Sequence, residues 1–153
     1  MPASDLKDLK ILVVDDQASV RWVVARLLTS LGAGRVETAS NGAEAIAIIE
    51  AAAEPCTVAI CDLSMPDGDG LEFLRNLARL ARRPAVILMS GKDRVILESA
   101  RQLGESLAVT ILGTITKPLT GVALMQLLDT LSQPEAMVRP IPPPVLTEAV
   151  PFA

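Results

Sequence analysis

The stretch Val58-Ala59-Ile60-Cys61-Asp62-Leu63-Ser64-Met65-Pro66-Asp67-Gly68-Asp69-Gly70 decides the fold. A continuous apolar run carries one carboxylate, Asp62, into a turn rich in proline, glycine and aspartate. Unbroken apolarity over the length of a strand suits a parallel strand buried on both faces. A carboxylate at the end of such a strand is held in place and partly desolvated. Beside other acids it serves as a metal ligand, a nucleophile or both.

The same pattern recurs on either side. Lys10-Ile11-Leu12-Val13-Val14 ends at Asp15-Asp16, and Ala85-Val86-Ile87-Leu88-Met89 ends at Ser90-Gly91. Thr110 to Ile115, broken by Gly113, ends at Thr116-Lys117-Pro118, while Arg35-Val36-Glu37-Thr38-Ala39 alternates as an edge strand does. Between these runs the apolar spacing becomes helical. Val20, Val23, Val24, Leu27, Leu28 and Leu31 form one stripe that Gly32 closes, and Ala43 to Ala53 forms a second helix that Pro55 stops. Leu71, Leu74, Leu77 and Leu80 mark a third helix, and Lys92 to Gly104 a fourth with Ile96, Ala100 and Leu103 on one face. Thr120 to Leu131 reads as the last, with Leu124, Leu127, Leu128 and Leu131 inward. Strands alternating with helices predict an α/β fold, a (βα)5 doubly wound parallel sheet of flavodoxin-like type with strand order 2-1-3-4-5. The three most apolar strands take its centre.

Residues 1–8 read as an N-terminal extension and 9–132 as the one domain. From Gln133 the composition shifts, with six of the eleven prolines between Pro134 and Pro151. Such a run favours extended polyproline II and forbids helix continuation. Residues 133–153 therefore read as a tail or linker, serving equally well as a docking segment or an end without function.

Bulk composition narrows the function. At 153 residues, half hydrophobic and 21% charged, the chain can bury a substantial core. Its net charge of -4 lacks the basic footprint of a nucleic-acid binder. With no histidine, it has no His-based general base or His-ligated metal, and Trp22, Phe73 and Phe152 are too few for a base-stacking platform. Cys56 and Cys61 fall at the ends of one predicted strand, on opposite faces and roughly 16 Å apart. They are expected as free thiols in a reducing compartment. Met1-Pro2-Ala3-Ser4-Asp5 is no signal peptide and no apolar run is long enough to span a bilayer, so a cytoplasmic protein with no membrane partner is expected.

Asp15, Asp16, Asp62, Ser90 and Lys117 all fall at the C-terminal ends of predicted strands, the edge where open parallel sheets bind ligands. Clustered carboxylates repel one another in a partly buried site, and a divalent cation relieves this. An all-oxygen site with few protein ligands suits Mg²⁺, which keeps several waters. The lysine adds a point charge for an anion, and the serine a hydrogen-bond donor. Together they form an apparatus for phosphoryl transfer, and with no nucleophile paired to a base the simplest acceptor is the carboxylate itself.

Asp15-Asp16, the stretch Asp62-Leu63-Ser64-Met65-Pro66 with Gly70, Ser90-Gly91 and Lys117-Pro118 together resemble a response-regulator receiver domain. The resemblance runs from about Leu9 to Leu131. It implies that Asp62 takes a phosphoryl group from the phosphohistidine of a sensor histidine kinase or a histidine phosphotransfer protein. It implies Mg²⁺ on Asp15, Asp16, Asp62 and the Ser64 backbone carbonyl. Ser90, Gly91 and Lys117 would hold the phosphoryl group, and Pro118 would follow a cis bond that aims the lysine. The chain would then be a regulatory phosphoacceptor rather than an enzyme, switching an output partner or a homodimer, with no direct contact to nucleic acid.

Thr114 departs from the pattern, for the family carries a tyrosine or phenylalanine three residues before the lysine. The coupled hydroxyl-and-aromatic switch therefore cannot operate in its usual form. The Leu112-Gly113-Thr114 character is similar to receivers fused ahead of EAL-type cyclic-di-GMP phosphodiesterases, which makes a module of a larger regulator the alternative. A haloacid-dehalogenase-type phosphatase would need a second aspartate two residues after the first, where this chain has Gln17 and Ser64. A flavodoxin-like electron carrier would need a phosphate-cradling loop and aromatics that are lacking. A calcium loop at Asp62 would place Phe73 where a bidentate acid belongs. Asp67 and Asp69 read as turn and N-cap residues, Trp22 as partial packing, Met65, Met89 and Met125 as filler, and Arg82-Arg83 as solvated.

Overall fold

The computed structural model describes residues 6–66, 69–91 and 94–132. Strands β1 (Lys10–Val14), β2 (Arg35–Ala39), β3 (Val58–Asp62), β4 (Ala85–Ser90) and β5 (Ile111–Thr116) alternate with helices α1 (Ala18–Ser30), α2 (Gly42–Ala51), α3 (Asp69–Leu77), α4 (Arg94–Ser106) and α5 (Gly121–Asp129). All neighbouring strands are parallel, in the order β2-β1-β3-β4-β5. The expected architecture and strand order are present and β2 is an edge strand, but its burial does not alternate: Val36 packs against one layer, Ala39 is buried in the other, and Thr38 is exposed. Central β1, β3 and β4 are buried on both faces because their residues are apolar at every position but the ends.

Two apolar layers hold the sheet. Leu12, Val14, Ala59, Cys61, Val86 and Leu88 face α2, α3 and α4, meeting Ala45, Phe73, Leu74, Leu77, Leu97 and Ala100. Ile11, Val13, Val58, Ile60, Ile87 and Met89 face α1 and α5, meeting Val24, Leu28, Leu124 and Leu128. Leu6, ahead of the boundary expected at residue 9, is buried in this second layer. Helix starts are capped as the side chains allow. Asn41 accepts from the Glu44 N–H at α2, and Thr120 accepts from the Ala123 N–H at α5. Gly32, at φ 110°, turns the chain out of α1.

Three expectations need correction. The inward stripe of α4 is Leu97, Ala100 and Gly104, with Ile96 exposed. Gly104 allows close packing, since a Cβ there would lie 2.7 Å from Ile111 Cδ1. Cys56 and Cys61 are free and buried but lie in the same layer, because Cys56 precedes β3 and escapes its alternation. Trp22 is partly packed, as expected, being 62% exposed with the Arg26 guanidinium 4.9 Å above its ring. Arg83 is more than solvated, since it donates to the carbonyls of Leu80, Leu107 and Ala108 and so closes the C-terminal end of α4.

Gly113 does more than interrupt its strand. Ile111 pairs with Val86 and Gly113 with Ile87, so Leu112 is an inserted residue and β5 carries a bulge. The insertion turns position 113 toward α5, where a Cβ would sit 2.5 Å from Leu127 Cδ2. A side chain there would have to displace the tip of Leu127. Asp67, Lys92, Asp93 and the tail 133–153 lie outside the described residues.

Candidate functional site

Parallel pairing places the ends of β1, β3, β4 and β5 side by side, and the polar residues expected there meet. Carboxylate oxygens of Asp15, Asp16 and Asp62 lie within 4.8 Å of one another. Asp15 and Asp62 are buried, while Asp16 is exposed. Lys117, at the end of β5, reaches across with Nζ 3.1 Å from Asp15 Oδ2 and 3.3 Å from Asp62 Oδ2. Its backbone N–H donates to the Ser90 carbonyl, which fixes the start of that side chain. The peptide between Lys117 and Pro118 is cis.

Each acid is held by its own turn. The Gln17 N–H donates to Asp15 Oδ1, and the Ser64 N–H donates to Asp62 Oδ1 at 2.9 Å. The turn after Asp62 stays tight because the Leu63 N–H donates to the Met89 carbonyl and because position 70 is glycine. A Cβ at 70 would lie 3.0 Å from the Asp62 carbonyl oxygen and 3.1 Å from Leu63 Cα. The Ser64 and Ser90 hydroxyls are 3.5 Å apart beside the acid.

Electrostatics follow from the crowding. Burial pushes the Asp15 carboxyl above the ordinary carboxylate range. The Gln17 N–H opposes this, the Asp62 charge adds to it, and Lys117 pulls back. Burial alone would depress the Lys117 ammonium. Its hydrogen bond to Asp15 and the charges of Asp62 and Asp15 outweigh that and hold it above the usual lysine range. Among the described residues, Lys117 is the ammonium that offsets both buried carboxylates. A set of oxygen donors with one member facing solvent fits Mg²⁺, a hard cation that keeps part of its water.

Gly91 and Pro118 line an apolar groove of about 500 Å³ with Val20, Val24, Met89 and Leu119, beside Lys117. Thr114 lies on the other face of β5. With Thr116 it borders a cleft of about 260 Å³ against Arg94, Leu97 and Glu98 of α4. Because the side chain is short, that space is open where a larger one would fill it.

Three supporting residues carry no local signal in the sequence. Arg21 Nη1 donates to the Asp15 carbonyl at 2.7 Å, and Gln17 anchors the same aspartate through its backbone. Asp69, expected to cap its own helix, instead accepts from the Gly42 N–H at the start of α2. It thereby ties the turn after β3 to the neighbouring helix.

A response regulator receiver domain model matches residues 11–129. The cyclic di-GMP phosphodiesterase RocR of Pseudomonas aeruginosa is 34% identical over 113 residues, which span 74% of this chain and 29% of that protein. A probable chemotaxis protein CheY of Rhizobium etli is 30% identical over 115 residues, spanning 73% of this chain and 83% of that protein. A response regulator structure from Colwellia psychrerythraea superposes with a TM-score of 0.67 at 30% identity, covering 81% of this chain and 96% of that one. The matched span contains all five strands and the acidic edge they build, and this chain belongs to the response regulator receiver domain family of two-component signalling.

Proposed function

We propose that the domain is a phosphoacceptor switch in which Asp62 takes a phosphoryl group from the phosphohistidine of a sensor histidine kinase or histidine phosphotransfer protein. Receiver domains as a family are regulatory phosphoacceptors. The observation that carries the reading here is the Asp62 carboxylate, 2% exposed at a strand end, with the Lys117 ammonium 3.3 Å away and two further aspartates beside it.

An Asp62 carboxylate oxygen attacks phosphorus as the phosphorus–nitrogen bond breaks. The electron pair leaves with the imidazole, which takes a proton from solvent, and an acyl phosphate remains on Asp62. The Ser64 N–H holds the other carboxylate oxygen and so presents the attacking one. Lys117 exchanges its contact with Asp62 for one with a phosphoryl oxygen, and the Ser90 hydroxyl donates to another. Gly91 leaves room for the group, since nothing lies within 4 Å of the Cβ position there. Asp15, Asp16, Asp62 and the Ser64 carbonyl would hold Mg²⁺, which neutralises charge developing on the phosphoryl oxygens. Pro118 sets the direction of Lys117. Thr114 and its cleft replace the aromatic part of the switch, so output runs through a reshaped β5–α4 surface, by partner binding or a homodimer. The same residues catalyse loss of the phosphoryl group to water.

We place the receiver module at residues 9–132, with Leu6 of the preceding segment packed into its core, in the cytoplasm, with 133–153 as tail or linker. No helix among the described residues is long and apolar enough to cross a membrane. The similarity to less than a third of RocR favours a second reading, in which the chain is the receiver module of a larger regulator with a cyclic-di-GMP phosphodiesterase output domain.

Acetyl phosphate with MgCl2 should add one phosphoryl group by intact mass. EDTA should suppress the addition and Asp62→Ala should abolish it. Undiminished labelling of Asp62→Ala would remove that residue from the role.

A further inference from the structure

Every polar atom of Asp15 in the described structure is held. Its N–H donates to the Ala39 carbonyl at 3.1 Å, its Oδ1 accepts from Gln17 and its Oδ2 accepts from Lys117. Its carbonyl oxygen accepts from Arg21 Nη1 at 2.7 Å. Asp16 is the opposite case. Its carboxylate is exposed and, among the described residues, accepts no hydrogen bond, yet it closes the cluster of three acids. What directs it is the peptide it shares with Asp15, and the carbonyl of that peptide is the one Arg21 grips. A shift of this peptide would carry the Asp16 Cα, and the carboxylate built on it, away from the cluster, since the planar unit fixes the separation of the two Cα atoms.

We propose that Arg21 is a positioning residue for the cation site, acting through the Asp15–Asp16 peptide to keep Asp16 aimed at the other two acids. The proposal rests on the reading of these acids as a Mg²⁺ site. Arg21 sits in the first turns of α1, with its own N–H bonded to the Gln17 carbonyl, so the helix carries the guanidinium at a fixed height over the loop. Groups that orient metal ligands without touching the metal typically change affinity by about 10–100-fold.

The sign of the effect separates positioning from charge. Removing the cation that holds the Asp15 carbonyl should, by Coulomb's law alone, tighten binding of a second cation nearby. Positioning requires the reverse.

The test is isothermal titration of the full chain with MgCl2 and no phosphodonor, with melts in EDTA reporting the fold. Arg21→Met should weaken Mg²⁺ by about tenfold or more. Arg21→Gln, which is neutral but keeps an N–H donor, should weaken it less. Equal or tighter binding in both variants overturns the proposal and leaves a charge effect. Lowered stability with unchanged affinity overturns it in favour of a packing role. Should Arg21→Met not fold, Arg21→Gln decides, and affinity at or above that of the wild type overturns the proposal. Wild type that takes no Mg²⁺ overturns the proposal together with the cation-site reading, an outcome distinct from variants that bind as the wild type does.

Discussion

Replacing Lys117 by methionine removes an ammonium that faces both buried carboxylates while keeping most of the side-chain volume. Lys117 Nζ is 3.1 Å from Asp15 and 3.3 Å from Asp62, and both carboxylates are almost fully out of water. Breaking a buried pair by removing one partner costs about 3–5 kcal/mol, because an uncompensated charge is left behind. The Lys117 side chain is 24% exposed, so water screens part of this and the lower end, about 3 kcal/mol, applies. With a slope of about 1–3 kcal/mol/M, the urea midpoint in EDTA should fall by about 1–3 M. Mg²⁺ should then narrow the gap, since it neutralises the same acids without competition from the lysine. Both proteins gain from excess Mg²⁺, so the gap should narrow by about 1.4 kcal/mol for each tenfold by which the variant binds it more tightly. Adding Asp15→Asn to Lys117→Met should cost less than the two changes summed, with a coupling of about 1–3 kcal/mol. Additive changes, and a gap equal in EDTA and Mg²⁺, would refute the claim that Lys117 offsets the acid cluster.

Gly70→Ala places a methyl 3.0 Å from the Asp62 carbonyl, against backbone that cannot yield. Overpacking of about 1–3 kcal/mol opposes a helix-propensity gain of about 1 kcal/mol, so urea melts should show a net loss of about 1 kcal/mol and titration a weaker Mg²⁺ affinity. A more stable variant would show that the turn gives way. Ala108, at φ 62°, holds a left-handed conformation that costs an L-residue about 1–2 kcal/mol, so Ala108→Gly should gain about 0.5–1 kcal/mol and raise Tm. A lower Tm would contradict this. Burial pushes the Cys56 thiol up to about 11 and Cys61 higher still, where the Asp62 charge adds to desolvation. Thiolate is therefore scarce at pH 8 and grows only as pH rises toward 11. A disulfide reagent at pH 8 should label neither cysteine in the native protein and both in urea, and fast native labelling would be the contrary result.

Much of this molecule is legible in the order of its residues, and the missing part is tertiary. Apolar runs of strand length define β1, β3 and β4, and the charged and polar residues of β2 mark it as an edge, because a strand covered on both faces has no place for them. The acids, Ser90 and Lys117 are readable as a group for the same reason, since each ends a strand and parallel strands end together. The α4 stripe was displaced because Ile96 and Leu97 are both apolar, and only contact with the sheet chooses between them. The bulge at Leu112 hides behind an ordinary glycine whose reason is Leu127, on another element. Nothing near Asp69 points to Gly42, and nothing near Arg21 points to the Asp15 carbonyl. Such bonds become visible only when loops from different strands are brought to one edge.

The most direct test of the central claim is the position of the phosphoryl group. After phosphorylation with acetyl phosphate and Mg²⁺, borohydride should reduce the acyl phosphate and leave homoserine at position 62, identified by peptide sequencing in a mass spectrometer. Homoserine at 62 alone is the predicted result. Homoserine at 15 or 16, or a phosphoryl group that survives borohydride on a serine or threonine, would contradict the account.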